Sequence, residues 1–129
     1  MFQDTVTIFN QKDCIWYPTV LHGVEAQEVT AQNTGKDGST PGNRCSLHIP
    51  EAVMKDYHRP KEWKGEGYTL RCGEFFVIGD HGGGPVDDND YTGACLGYQD
   101  YMKNHLDGVY QITAVSVFKL IRHIEVEGE

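Results

Sequence analysis

The sequence lacks any long apolar run, and this absence limits what the chain can be. A membrane-spanning helix needs about 20 consecutive apolar residues, and no stretch of the 129 residues approaches that length. The first residues, Met1 to Asp4, also lack the basic start of a secretory signal peptide. We therefore expect a protein that is made in the cytoplasm, binds no membrane and keeps its thiols reduced.

Basic charge is also scarce. The chain has 11 lysine and arginine residues against 19 aspartate and glutamate residues, which gives a formal net charge of −8. The basic residues are dispersed along the sequence, whereas neutralising a phosphate backbone requires clustered ones. Free-standing nucleic-acid binding is therefore not expected. An acidic surface is compatible instead with a channel through which DNA slides without sticking.

Metal-binding patterns are incomplete. Structural zinc sites pair cysteines at Cys-x-x-Cys spacing, and no two of the four cysteines are that close. The six histidines are scattered one per segment, so a zinc site would need ligands from distant strands, and we interpret them as isolated polar residues. Asp88 and Asp90 begin a pattern like a calcium loop with Gly93 at its glycine position, but Gln99 replaces the bidentate glutamate. We predict a solvated acidic loop and no cofactor, with these two aspartates as the metal candidates.

Signatures of catalysis are missing as well. The chain has no P-loop and no Gly-x-Gly-x-x-Gly motif. His81 to Gly84 resembles the oxyanion element of some esterases, but the Gly-x-Ser-x-Gly nucleophile elbow that this element serves is absent. Any cysteine could meet any histidine in space, so no catalytic pair is specified. We predict a flexible turn at His81 and a protein that is not an enzyme, with no catalytic residues.

What the sequence has is the composition of one β-rich domain. Fifteen glycines and five prolines indicate frequent turns, and 39% hydrophobic residues suffice for one core. We predict a single domain over residues 1–129, mostly β, as a small β-barrel or sandwich with long loops and at most one or two short helices. The predicted strands are Thr5–Asn10, Cys14–Leu21, Val24–Ala31, Arg44–Ile49, Tyr68–Arg71, Phe75–Ile78, Val109–Phe118 and His123–Gly128.

Two loops and one aromatic side chain are the predicted contact regions. Residues 32–43 contain no large apolar side chain, and residues 81–95 are glycine-rich and then acidic, so both should be mobile and become ordered against a neighbour. Trp63 is flanked by charged residues and is predicted to be an exposed anchor, whereas Trp16 and Tyr68 are assigned to the core. The interface candidates are Trp63, Tyr57, Lys61, Asn33, Gly35, His81 and Asp87.

Ordered sequence pieces that cover most of the chain carry a family resemblance. They are Asp4–Asn10, Trp16–Leu21, Gly23-Val24, Leu47–Pro50, Tyr57, Pro60–Trp63, Tyr68–Leu70, Gly73–Gly79, Ile112–Val115 and His123–Gly128. Together they resemble small structural proteins encoded among the head and tail genes of phages and prophages, chiefly of Gram-positive bacteria. Those proteins are described as minor capsid or head–tail connector proteins.

This resemblance implies a neck component of the stopper type. Such a protein would form a homo-oligomeric ring between the portal and the tail, touching portal or adaptor proteins and tail proteins. Packaged DNA would pass through the ring or be sealed by it without sequence-specific binding. The protein would be part of the virion, assembled in the host cytoplasm. A tail-terminator or tail-completion protein is the alternative, and a small hydrolase or a calcium-binding module is the alternative of another class.

Overall fold

The computed structural model describes residues 3–30, 43–93 and 97–129. The elements within these residues are mainly strands, as the composition predicts. The strands are β1 (Asp4–Lys12), β2 (Ile15–Thr30), β3 (Asn43–Pro50), β4 (Phe75–Ile78), β5 (Val86–Asp87), β6 (Val109–Phe118) and β7 (His123–Gly128). One α-helix, α1 (Tyr98–His105), and two 3-10 turns, Glu51–Val53 and Asp88–Tyr91, complete them.

Six of the strands close into a barrel. The neighbours run in the order β1-β4-β6-β7-β3-β2, and β2 pairs back onto β1, while β5 extends the sheet beyond β2. All of these pairings are antiparallel. The predicted mostly-β class is therefore confirmed, and the closing pairing of β1 with β2 selects a barrel.

Two long strands turn the corners of the barrel. The first part of β2 pairs with β1, and its last residues, Glu25 to Thr30, pair with β3. Gly23 lies where the pairing changes, with a φ of 83°, and the β1–β2 register shifts beside it. The predicted strand break at His22-Gly23 is therefore wrong, because a glycine in the left-handed region bends the strand without ending it. In the same way β6 passes from β4 to β7 with an irregular register between Ile112 and Ala114.

The barrel interior is filled by every second residue of its strands. Cys45, Leu47 and Ile49 point inward from β3 as predicted, and each is at least 99% buried. The buried members of this core cluster are Val6, Ile8, Leu21, Val24, Cys45, Leu47, Ile49, Met54, Tyr68, Leu70, Phe76, Tyr110, Ile112, Ile124 and Val126. This arrangement leaves the alternate residues of each strand on the outer surface.

A second apolar cluster lies outside the barrel wall, under α1. Phe75 and Val77 face away from the interior, and α1 covers them with Tyr98 and Met102. The rings of Phe9 and Phe75 stack with their centroids 4.7 Å apart. Both faces of β4 are consequently buried, which explains why its four residues are all apolar.

The segment between β3 and β4 crosses one end of the barrel without forming the predicted strand at Tyr68–Arg71. Tyr68 makes only an isolated bridge with Tyr57. The side chain of Asn10 takes the place of a strand partner: its Oδ1 accepts from the Thr69 N–H at 3.0 Å, and its Nδ2 donates to the Thr69 carbonyl at 2.8 Å. The backbone of Thr69 is thus satisfied by one buried amide instead of a ladder.

Gly23 gives the first testable prediction. Replacing Gly23 by alanine should lower the free energy of unfolding by about 1–2 kcal/mol, because a Cβ is disfavoured at a left-handed φ. The matched control is Gly83→Ala, where an added Cβ meets nothing within 4 Å. Urea unfolding of the two variants beside the parent measures the difference, and equal stabilities would show that the corner does not depend on glycine.

Candidate protein-binding surface

The turn between β6 and β7 exposes a run of apolar side chains. We call residues 117–122 the hairpin tip. Leu120 is 100% exposed and Ile121 78%, and Val117 and Phe118 are each more than two-fifths exposed. Single exposed apolar residues are ordinary, but a contiguous group on a projecting turn is characteristic of an interaction surface. The hairpin tip is therefore the first part of the candidate site.

A groove lies between the hairpin tip and the loop that follows Met54. It consists of two adjoining hollows of about 450 and 530 Å³ that share Tyr57, Arg59, Glu62, Val117 and Lys119. We call it the tip groove. Its full lining is Met54, Tyr57, His58, Arg59, Pro60, Lys61, Glu62, Val117, Phe118, Lys119 and Arg122.

The tip groove is basic although the chain is acidic. Arg59, Lys61, Lys119 and Arg122 line it, and Glu62 is the carboxylate among its lining residues. The whole chain carries a formal net charge of −8. Basic residues dispersed in the sequence are thus brought together by the fold, and they outnumber the carboxylate in the groove lining. Outside the lining, Glu51 Oε2 lies 4.0 Å from Arg122 Nη1.

The structure places two of the predicted interface residues in the tip groove and removes a third from the surface. Tyr57 and Lys61 line the groove. Trp63 is only 7% exposed, so the prediction of an exposed anchor is wrong. Its indole N–H donates to the Gly67 carbonyl at 3.3 Å, and its ring packs edge-on against Tyr17 and beneath the Arg71 guanidinium. Charged neighbours in sequence did not prevent burial, because the loop folds back over the ring.

The other predicted interface residues lie elsewhere. Asn33 and Gly35 fall outside the described residues, as does most of the predicted mobile loop. His81 is exposed and its ring contacts the Ile78 carbonyl at 3.2 Å. Asp87 accepts from the Asn89 N–H at 2.9 Å and caps the 3-10 turn that follows. Neither His81 nor Asp87 lines the tip groove.

The acidic residues proposed as metal candidates have different surroundings. Asp88 Oδ1 accepts from the Trp16 indole N–H at 2.9 Å and from the Tyr98 N–H at 2.8 Å. Asp88 therefore joins the β1–β2 hairpin to the start of α1. Asp90 is exposed on the same 3-10 turn. The prediction of a solvated acidic loop did not anticipate that the Asp88 carboxylate is engaged in holding the helix.

The glycine-rich turn after His81 already uses two of the N–H groups that an oxyanion hole would require. The His81 N–H donates to Thr7 Oγ1 at 2.8 Å, and the Gly82 N–H donates to Asp80 Oδ1 at 3.1 Å. An oxyanion hole needs such donors aimed at an open position. These contacts favour the interpretation of the segment as a turn.

A cluster of stacked rings lies behind the hairpin tip, and the sequence patterns did not predict it. The His48 and His123 rings stack with centroids 4.4 Å apart, and Phe118 stacks on the other side of His123 at 4.5 Å. Hydrogen bonds to the Glu125 carboxylate and to the Ile121 carbonyl raise the pKa of His123. The available signal was the alternation in His123-Ile124-Glu125, but the pairing of β7 with β3 was needed to bring His48 there.

Fold and surface together define a small closed β-barrel with an exposed apolar hairpin beside a basic groove. The chain belongs to the Family of unknown function (DUF6751), whose family model matches residues 1–129. No curated protein and no solved structure matches the chain. Among the described residues, no helix has the length and apolar character required to cross a membrane.

The position of Asp88 gives a second prediction. Asp88→Ala leaves the Trp16 and Tyr98 N–H groups without this acceptor, so the free energy of unfolding should fall by about 1–3 kcal/mol. The matched change Asp90→Ala, on the exposed part of the same turn, should alter it by less than about 0.5 kcal/mol. Urea unfolding compares the two. Equal effects would contradict a structural role for Asp88.

The cysteines give a third prediction. Burial, reinforced by Glu28, raises the pKa of the Cys45 thiol to about 12, whereas Cys14 and Cys72 are exposed. Because the thiolate is the reactive form, iodoacetamide should modify Cys14 and Cys72 in the folded protein and leave Cys45 intact. Mass spectrometry of the digested protein distinguishes the sites, and unfolding in urea is the positive control for Cys45. Modification of Cys45 in the folded state at the rate seen in urea would contradict its burial.

Proposed function

We propose that this chain is a structural protein of a phage virion, a head–tail connector of the stopper type that forms a ring in the neck. The observation that carries the proposal is the exposed apolar hairpin tip beside the basic tip groove. The sequence resemblance to phage connector proteins supplies the class of assembly. The function is then assembly with other proteins, by contacts outside the barrel interior.

Barrel closure limits how such contacts are made. A closed barrel offers few unpaired strand edges for strand addition. Within the described residues, the large apolar groups most open to solvent are Leu120 and Ile121 on the hairpin tip. Burying each against a partner is worth about 1.5–3 kcal/mol. The hairpin tip is therefore the natural element to insert into a neighbouring protein.

The asymmetry of the surface favours a ring. The exposed apolar side chains lie on the hairpin tip, whereas Asp80, Asp87 and Asp90 are exposed elsewhere on the chain. A contact between two different patches is head-to-tail, and it closes into a ring when the rotation permits. The cations of the tip groove would attract these carboxylates on the adjacent copy. An acidic chain around the channel would repel DNA phosphates and let DNA slide.

The fourth prediction tests assembly on the portal. The purified chain should gain mass as a ring when it is mixed with the portal oligomer of the same virion, measured by light scattering after size exclusion. Leu120→Asp should abolish this gain without altering the fold, because Leu120 is fully exposed. The matched control is Leu106→Asp, an apolar residue 36% exposed at the end of α1, which should assemble normally.

Several results would contradict this assignment. No association of the parent chain with portal, adaptor or tail proteins would remove the connector role, and assembly onto the tail tube alone would favour the tail-terminator alternative. Equal loss in the Leu106 and Leu120 variants would remove the hairpin tip from the interface. Gene order is an independent check: a portal gene upstream and a tail-tube gene downstream are expected.

A further inference from the structure

Three potential metal ligands converge on the outer face of the barrel. His48 lies on β3 directly opposite Glu125 on β7, and His123 is two residues before Glu125 on the same face. The strand neighbours of these residues are buried in the barrel core: Leu47 and Ile49 flank His48 on β3, and Ile124 lies between His123 and Glu125 on β7. Side-chain alternation in the two paired strands therefore fixes both imidazoles and the carboxylate on one side of the wall.

The ligand atoms of this cluster are close and oriented. One nitrogen from each imidazole and one oxygen of Glu125 all lie within 4.8 Å of one another. The His123 Nε2 is 2.9 Å from Glu125 Oε2, and its Nδ1 donates to the Ile121 carbonyl at 2.6 Å. An imidazole that donates Nδ1–H to a backbone carbonyl presents Nε2 to a metal, which is the usual arrangement around histidine ligands.

We propose that His48, His123 and Glu125 bind a divalent transition-metal ion, with zinc as the best match. Two imidazoles and one carboxylate are a known zinc ligand set that leaves a fourth position open. Tetrahedral zinc places its ligand atoms about 3.3 Å apart and lies in the plane of each imidazole. His48 and Glu125 must therefore rotate, and the His48 ring must leave its stack with His123 to reach the same ion. His48 and His123 are only partly buried and Glu125 is 49% exposed, which leaves room for these rotations.

The surroundings of the cluster favour a cation of this kind. Glu25 lies opposite His48 on β2, and Glu127 follows on β7, so carboxylates flank the imidazoles on both sides. Imidazole ligands favour zinc and its transition-metal neighbours, whereas calcium and magnesium take oxygen ligands. A metal bound here takes the place of the hydrogen bond between His123 Nε2 and Glu125 Oε2. It also fixes the ring on which Phe118 of the hairpin tip is stacked.

The test is zinc titration of the full chain, with its thiols alkylated so that exposed cysteines do not contribute. Isothermal calorimetry should give one tight zinc site per chain, and calcium and magnesium should give none. His48→Ala, His123→Ala and Glu125→Gln should each weaken zinc binding by more than about tenfold. The matched control is His22→Ala, an exposed histidine on β2, which should bind zinc as the parent does.

A second readout separates ligand loss from misfolding. The cobalt complex of the parent should show the visible absorption of a four-coordinate nitrogen and oxygen site, and the three variants should lack it while keeping the parent's circular dichroism. Absence of zinc binding by the parent would overturn the proposal. So would zinc binding that His48→Ala and His123→Ala leave unchanged, or that His22→Ala abolishes. None of these outcomes depends on whether the chain assembles on a portal.

Discussion

The pairing of β1 with β2 is the constraint on which the rest of the structure depends. It turns a row of strands into a closed barrel, and Gly23 favours it because the bend at this glycine lets β2 pair with β1 and then with β3. Closure creates a single interior for Val6, Ile8 and their partners from the other strands. Because the interior is packed with side chains, partners and ligands can bind only to the outer surface. That surface consists of the outward-facing strand residues, the turns and the loops.

A buried polar network holds the loops around this frame. Asn10 pairs with the backbone of Thr69 and donates to Glu74, and Glu74 accepts from the Gln11 N–H and from Arg71. The buried side chains of Asn10 and Glu74 are tolerated because their polar atoms find partners. The network ties the segment before β4 to β1, and it places the Arg71 guanidinium over the Trp63 ring. The same segment carries Tyr57 and Lys61, which line the groove beside the hairpin tip. The path of this one segment therefore explains both the burial of Trp63 and the position of the groove.

The hairpin tip and two residues of the histidine cluster, His123 and Glu125, lie on one hairpin, and the two regions meet where Phe118 stacks on His123. No part of the described barrel covers Leu120 and Ile121 at the turn. The polar residues behind them, His48, His123 and Glu125, are positioned by the pairing of β3 with β7. We interpret the tip as the contact surface of an assembling subunit. The cluster at its base is a means by which a metal ion would stiffen that surface. The two proposals rest on different side chains and fail independently.

The sequence by itself determined the strand content, the inward face of β3 and the apolar run of β4, because alternation and β-branched composition are local signals. It also determined the acidic balance of the chain. Only the tertiary structure decided the rest. Trp63 is buried because a network anchored on Asn10 folds its loop inward, and Asp88 serves α1 because it reaches Trp16 and Tyr98 across the fold. His48 and His123 meet because β3 and β7 pair, although 74 residues lie between them in the sequence. Such pairings are set by barrel closure, which depends on long-range contacts that no local pattern contains.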